Sequence, residues 1–293
     1  MKTDRIITLF ALVAVISAGF AADAVRPSEP VYEGKWLSEW LVEYQRGIPA
    51  PENDGDSQLL ARAEEAIRQI GTNALPWLLH ELSAKEATHG DALPANFSSG
   101  EAIKRRCLAT IAFPILGSSA KTATPKLVEL LNDKQTSYTA ATALGGIGVE
   151  SIPLLTQALT NQNAWVRESA ARVLGTFGPK AQDAIPALIN CAKDRDDSVR
   201  GFATFSLGQI GREPDIVIPV LTENLRDVDR STRWSAACAL GKFGGHAKSA
   251  FPALLKAMRE DHADFREVGN FREMAKEALK QIDPEAATEA GVK

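Results

Sequence analysis

Thiols, imidazoles and a spaced set of acids and arginines are the residues of this chain that could do chemistry. Its three cysteines, Cys107, Cys191 and Cys238, share no spacing, and an odd count argues against a disulfide framework. They read as small packed residues rather than nucleophiles. The four histidines, His80, His89, His246 and His262, are scattered and meet no carboxylate at the spacing a metal needs. No catalytic residue, metal site or cofactor is therefore expected. The acids and arginines differ, because they recur. Eight residues after a proline stand Asp133, Asn161, Asp194, Asp227 and Glu260. Six residues beyond Asn161, Asp194 and Asp227 come Arg167, Arg200 and Arg233, with Arg106 in the same column earlier. Such a row could grip phosphates or join one repeated unit to the next. Acids at matching spacing favour the second chemistry, each acid or amide accepting from an arginine fork or a helix-start N–H.

The elements that must position these residues also repeat. The prolines are Pro76, Pro125, Pro153, Pro186, Pro219 and Pro252, and proline suits the first turn of a helix, where its missing N–H costs nothing. Two and six residues later the chain is apolar: Leu78/Leu82, Leu127/Leu131, Leu155/Leu159, Leu188/Ala192, Leu221/Leu225 and Leu254/Met258. Positions four apart share a helix face. Five or eight residues before each proline lies a corner glycine: Gly71, Gly117, Gly148, Gly178, Gly211 and Gly244, with Asp283 in the last copy. Their steps are 46, 31, 30, 33, 33 and 39 residues. Eight residues before each corner stands an alanine, from Ala63 through Ala109, Ala140, Ala170, Ala203 and Ala236 to Ala275, small enough for close helix approach. The unit is a first helix, a corner, and a second helix opened by proline. One pair cannot bury its apolar stripe, but stacked neighbours can. The expected fold is all-α, an α-solenoid of about six antiparallel helix pairs.

The run V-R-x-x-A-A-x-x-L-G-x-[IF]-G and the following A-[IF]-P-x-L, best kept around Gly178, Gly211 and Gly244, resemble HEAT-like repeats. The likeness is to the short type named after phycobilisome lyases, and it runs over residues 58–287. Pro114 stands where the first corner glycine would be, and Ser137 where an arginine would be. The resemblance implies a right-handed superhelix whose second helices line the concave side. It implies little about activity, because this scaffold hosts unrelated functions. A di-iron hydroxylase on the same scaffold carries several His-Glu dipeptides, whereas here His80-Glu81 stands alone. Phycobilisome lyases act on pigment proteins inside photosynthetic cells, and helical-repeat DNA glycosylases need a basic groove.

Function then rests on the second helices. Four residues after the prolines come His80, Glu129, Gln157, Asn190, Glu223 and Lys256, a polar column. One position on are Glu81, Leu130, Ala158, Cys191, Asn224 and Ala257. A mixed groove of this kind suits a protein or peptide partner; the same column also reads as a plain solvated face. A net charge of −4 gives no basic excess of the kind nucleic acid demands. The expected function is a non-catalytic interaction module or scaffold. From another class, the alternative is an enzyme or enzyme accessory modifying a protein substrate held in the groove.

Outside the array, residues 1–24 read as a secretory signal: Lys2 and Arg5, an apolar run from Ile6 to Phe20, then small residues with Ala22 or Ala24 before the cut. An exported, periplasmic or secreted protein with no membrane span after cleavage is expected, the alternative being a retained anchor. Residues 25–57 form a polar lead, a capping helix and a loop. W-L-S-E-W-L-V-E-Y puts Trp36, Leu37, Trp40, Leu41 and Tyr44 on one helix face, to cover the end of the first unit. The opening Y-E-G-K-W-L-S-E-W-L-x-x-Y is similar to the start of uncharacterised secreted bacterial repeat proteins. Ser57 is expected to cap the helix ending at Ile70. Residues 83–100 make the longest interruption, and 261–270 a shorter one in which F-R-E occurs twice. Residues 288–293 end a polar tail.

Overall fold

A computed structural model describes residues 29–49, 55–85, 101–260 and 271–292. The expected leader, residues 86–100 of the interruption, and Arg266 with its F-R-E lie outside the described residues. The chain divides into two compact units, Met1–Ser151 and Ile152–Lys293.

The first unit opens with a feature absent from the sequence reading, a two-stranded antiparallel hairpin of β1 (Val31–Tyr32) and β2 (Lys35–Trp36). Glu33 and Gly34 both have positive φ, 48° and 76°, which gives the turn a two-residue hairpin requires. The hairpin moves Trp36 out of the helix where it was expected. Helix α1 (Leu37–Gly47) starts one residue later, and Trp36 is 38% exposed with its N–H donating to Glu39 Oε2 at 2.7 Å. Leu37, Trp40 and Leu41 are fully buried, and α1 packs on α2 (Ser57–Ile70). Trp40 donates from Nε1 to the Tyr32 carbonyl at 3.0 Å. Lys35 and Arg62 stand 4.5 and 5.5 Å from its ring centre. The cap of α2 is Asp56, not Ser57: its carboxylate accepts from the N–H groups of Gln58 and Leu59. An ionised oxygen one residue earlier satisfies two orphan donors at once.

The unit continues with α3 (Leu75–Leu82), α4 (Glu101–Thr110), α5 (Ala112–Leu116), α6 (Thr124–Leu131) and α7 (Ser137–Ile147). Pro114 has no N–H to return to the Thr110 carbonyl, and the helix breaks between α4 and α5 at Ile111.

The second unit holds α8 (Ile152–Ala158), α9 (Ala164–Thr176), α10 (Ile185–Cys191), α11 (Asp197–Ile210), α12 (Pro214–Asn224), α13 (Arg230–Phe243), α14 (Phe251–Glu260), α15 (Phe271–Ile282) and α16 (Pro284–Glu289). The first helices α9, α11, α13 and α15 pack in sequence through small residues. Ala170, Ala203, Ala236 and Ala275 are fully buried there. A methyl at Gly208 would sit 2.5 Å from Ala239 Cβ, so these backbones are already in contact. Gly178 and Gly244 turn the corners at φ 55° and 52°, each followed by a 3₁₀ segment. The apolar pairs of the second helices are all buried.

Two expectations fail here. Pro219 lies inside α12 rather than in its first turn, because Glu213 (φ 52°) and Pro214 start the helix early. The closing segment is not simply a polar tail: Asp283 accepts from Ala286 N–H, Pro284 follows it, and α16 forms with Ala287 buried.

Candidate functional site

The polar column is placed on the outside of both units. In the first, His80 on α3 and Glu129 on α6 are exposed. In the second, Gln157, Asn190, Glu223 and Lys256 are exposed on α8, α10, α12 and α14. Among the described residues, the side-chain amides of Gln157 and Asn190 make no hydrogen bond, while Glu223 lies 3.6 Å from Lys193 and Lys256 3.7 Å from Glu260. The column that follows faces the other way. Glu81, Leu130, Cys191 and Asn224 are buried, and Ala158 and Ala257 are half-buried.

That second column holds neighbouring repeats together, a role the sequence reading missed. Glu81 accepts a fork from Arg105, with Nη2 at 2.7 Å. This commits the carboxylate of the one His-Glu pair to an arginine. Asn224 donates from Nδ2 to Thr204 Oγ1 at 2.7 Å and to the Ala192 carbonyl at 3.0 Å. Cys191 points its thiol at the Leu159 carbonyl. Burial first, and the nearby Asp194 second, push that thiol up to about 11; burial also raises Cys107 and Cys238. All three thiols stay protonated near neutral pH, which suits packing rather than nucleophilic attack.

The arginine ladder forms as an inter-repeat device, with one refinement. Arg167 donates Nε and Nη2 to the two oxygens of Asp194, both at 2.7 Å, and Arg200 grips Asp227 in the same way at 2.7 and 2.9 Å. Each arginine therefore reaches the acid of the following unit. Toward its own column residue it bonds only the backbone: Nη1 of Arg167 to the Asn161 carbonyl at 2.7 Å, Nη1 of Arg200 to the Asp194 carbonyl at 2.8 Å. Asp194 and Asp227 also accept from the N–H two residues on, at 2.9 and 2.8 Å. Burial alone would raise both carboxyls, but the arginine forks and these N–H groups outweigh it and hold them below the usual range. In the first unit Arg106 bonds the Ala84 carbonyl, its own column position, across the inserted residues.

Matches to known proteins follow these columns. The pattern for HEAT repeats fits residues 124–200 and 185–280, more than half of the chain. The chain belongs to the HEAT-repeat family. No curated protein matches it. Among solved structures it is similar to the Kap95:Nup1 complex (TM-score 0.54, 11% identity, covering 86% of this chain and 38% of that one). It is similar to Kap121p bound to Nup53p as well (TM-score 0.52, 15% identity, 87% and 31%). The CpcE–CpcF complex of phycocyanin lyase from Nostoc sp. PCC7120 matches at TM-score 0.46 and 22% identity, over 54% of this chain and 98% of that one. At these identities the likeness to the Kap95 and Kap121p structures is one of fold. In HEAT-repeat terms the buried columns are inter-repeat packing, and the exposed column is what each repeat offers to solvent. Among the described residues no helix is long and apolar enough to cross a membrane.

Proposed function

We propose that this HEAT-repeat protein is a non-catalytic interaction module that acts after export and binds a protein or peptide partner through the exposed column of its second helices. One observation carries the reading. The polar groups at His80, Glu129, Gln157, Asn190, Glu223 and Lys256 face solvent, while the next residues on the same helices are largely turned inward. Partner contacts from a repeat array are spread along such a row, with little demand on any single residue. The scaffold is consistent with protein binding: the Kap95:Nup1 and Kap121p–Nup53p structures are complexes of that fold.

The test is crosslinking of the mature protein in its native cell envelope, with mass spectrometry of the captured partner. Asn190→Arg and Glu223→Arg, both at exposed positions, should each weaken capture of a specific partner, and more so together, without lowering the denaturation midpoint. Capture that survives both variants would remove the column from the binding surface.

A further inference from the structure

Resting on that reading, we infer that the stretch of the column on α8 and α10 takes a proline-rich segment of the partner, held as a polyproline II helix. The column changes character along the second unit. Glu223 and Lys256 are charged, and each stands by an opposite charge, Lys193 at 3.6 Å and Glu260 at 3.7 Å. Gln157 and Asn190, on consecutive second helices, are uncharged and exposed. Each presents an amide, with an N–H₂ donor and a carbonyl acceptor. Positions three apart on a helix share its face. One turn before the amides stand Leu154 and Ala187, both half-buried, so an apolar row runs beside them. One turn after Gln157, Thr160 donates its hydroxyl to the Gln157 carbonyl at 2.9 Å. One turn after Asn190 comes Lys193, which Glu223 answers. This part of the face offers apolar contact and neutral hydrogen bonds.

Hydrogen-bond supply and spacing select the form of the peptide. Helices stacked in consecutive repeats lie about 8–10 Å apart, and their amides recur at that step. A helical peptide has already spent its carbonyls on its own backbone. An extended strand presents the same edge about every 7 Å and falls out of step. A polyproline II helix keeps its carbonyls free and has three residues per turn at about 3.1 Å each, so the same edge returns about every 9 Å. Carbonyls three residues apart then meet the N–H₂ groups of Gln157 and Asn190 in turn. The pyrrolidine rings lie on Leu154 and Ala187. Proline holds the chain in this form before binding and brings no N–H of its own, so no donor of the peptide is stranded over the apolar row.

The experiment is fluorescence anisotropy on the full mature chain with three labelled nine-residue peptide amides: nonaproline, a Gly-Ser repeat and nonaglutamate. Nonaproline should bind at least about tenfold more tightly than either of the others. Gln157→Glu and Asn190→Asp keep the shape of each side chain but replace the donor by an oxygen, and each should weaken nonaproline by about threefold or more. Both positions are exposed, so the denaturation midpoints should stay unchanged. Equal affinity for the Gly-Ser peptide, tighter binding of nonaglutamate, binding of no peptide, or nonaproline binding untouched by both variants would each overturn the inference. None of these outcomes removes the column reading, because a partner of other chemistry would still be lost from capture on Asn190→Arg and Glu223→Arg. Capture that survives those two variants removes the column whatever nonaproline does.

Discussion

Arg200→Ala tests the ladder most directly. The side chains of Arg200 and Asp227 are 12% and 11% exposed and joined by two bonds of 2.7 and 2.9 Å. Truncation removes both, along with the bond to the Asp194 carbonyl and the exposed one to Asp197 Oδ1 at 2.5 Å, and leaves Asp227 with the Asp229 N–H at 2.8 Å as its remaining close donor. Breaking one side of a fully buried pair costs about 3–5 kcal/mol. The residual exposure here places the expected loss near the lower end, about 3 kcal/mol. With a urea dependence of about 2 kcal/mol per molar, the midpoint should fall by about 1.5 M. Arg233→Ala is the internal control, because among the described residues it forfeits backbone bonds but no aspartate fork, and should cost about 1 kcal/mol. The penalty of Arg200→Ala must also depend on pH. Asp227 has a folded-state value below its unfolded one, so the pair contributes fully above the unfolded value of about 4 and loses its contribution as pH falls through the folded value. Urea titrations of the three proteins at pH 7 and pH 3 measure both effects. If Arg200→Ala costs no more than Arg233→Ala, or the same at both pH values, the inter-repeat reading of the ladder is wrong.

Two further substitutions probe the packing. Gly208→Ala gains about 1 kcal/mol of helix propensity. It also drives a methyl to within 2.5 Å of Ala239 Cβ and 2.6 Å of its Cα, both fixed to the facing helix. Overpacking of about 1–3 kcal/mol should win, so thermal unfolding should move down; a rise would show that α11 and α13 can separate freely. Trp40→Ala empties a fully buried site under the hairpin and should cost about 3–5 kcal/mol, read by chemical denaturation. A loss below 1 kcal/mol, about what a surface change gives, would mean that α1 does not cover the first repeat.

Much of this architecture was legible in the residues themselves. The alanine and leucine columns ended up buried because a period set by helix pairs leaves each of them one environment. The corner glycines at Gly178 and Gly244 occupy positive φ, a demand of the local backbone that residue type alone reveals. The solvent-facing column was likewise a matter of counting from proline. What tertiary structure alone decided concerns partners distant in sequence. Arg167 and Arg200 choose the aspartate 27 residues on rather than the side chain six residues back, Asn161 or Asp194, because stacking brings the next turn to the fork while the near residue offers only its carbonyl. Glu81 stood in the sequence only as part of a lone His-Glu dipeptide, and only packing reveals Arg105 across from it, 24 residues away. Trp36 left its helix because Glu33 and Gly34 folded a hairpin of two-residue strands, too short to show any alternation. Periodicity fixes which face a side chain takes. The stacking of neighbouring repeats fixes what it meets there.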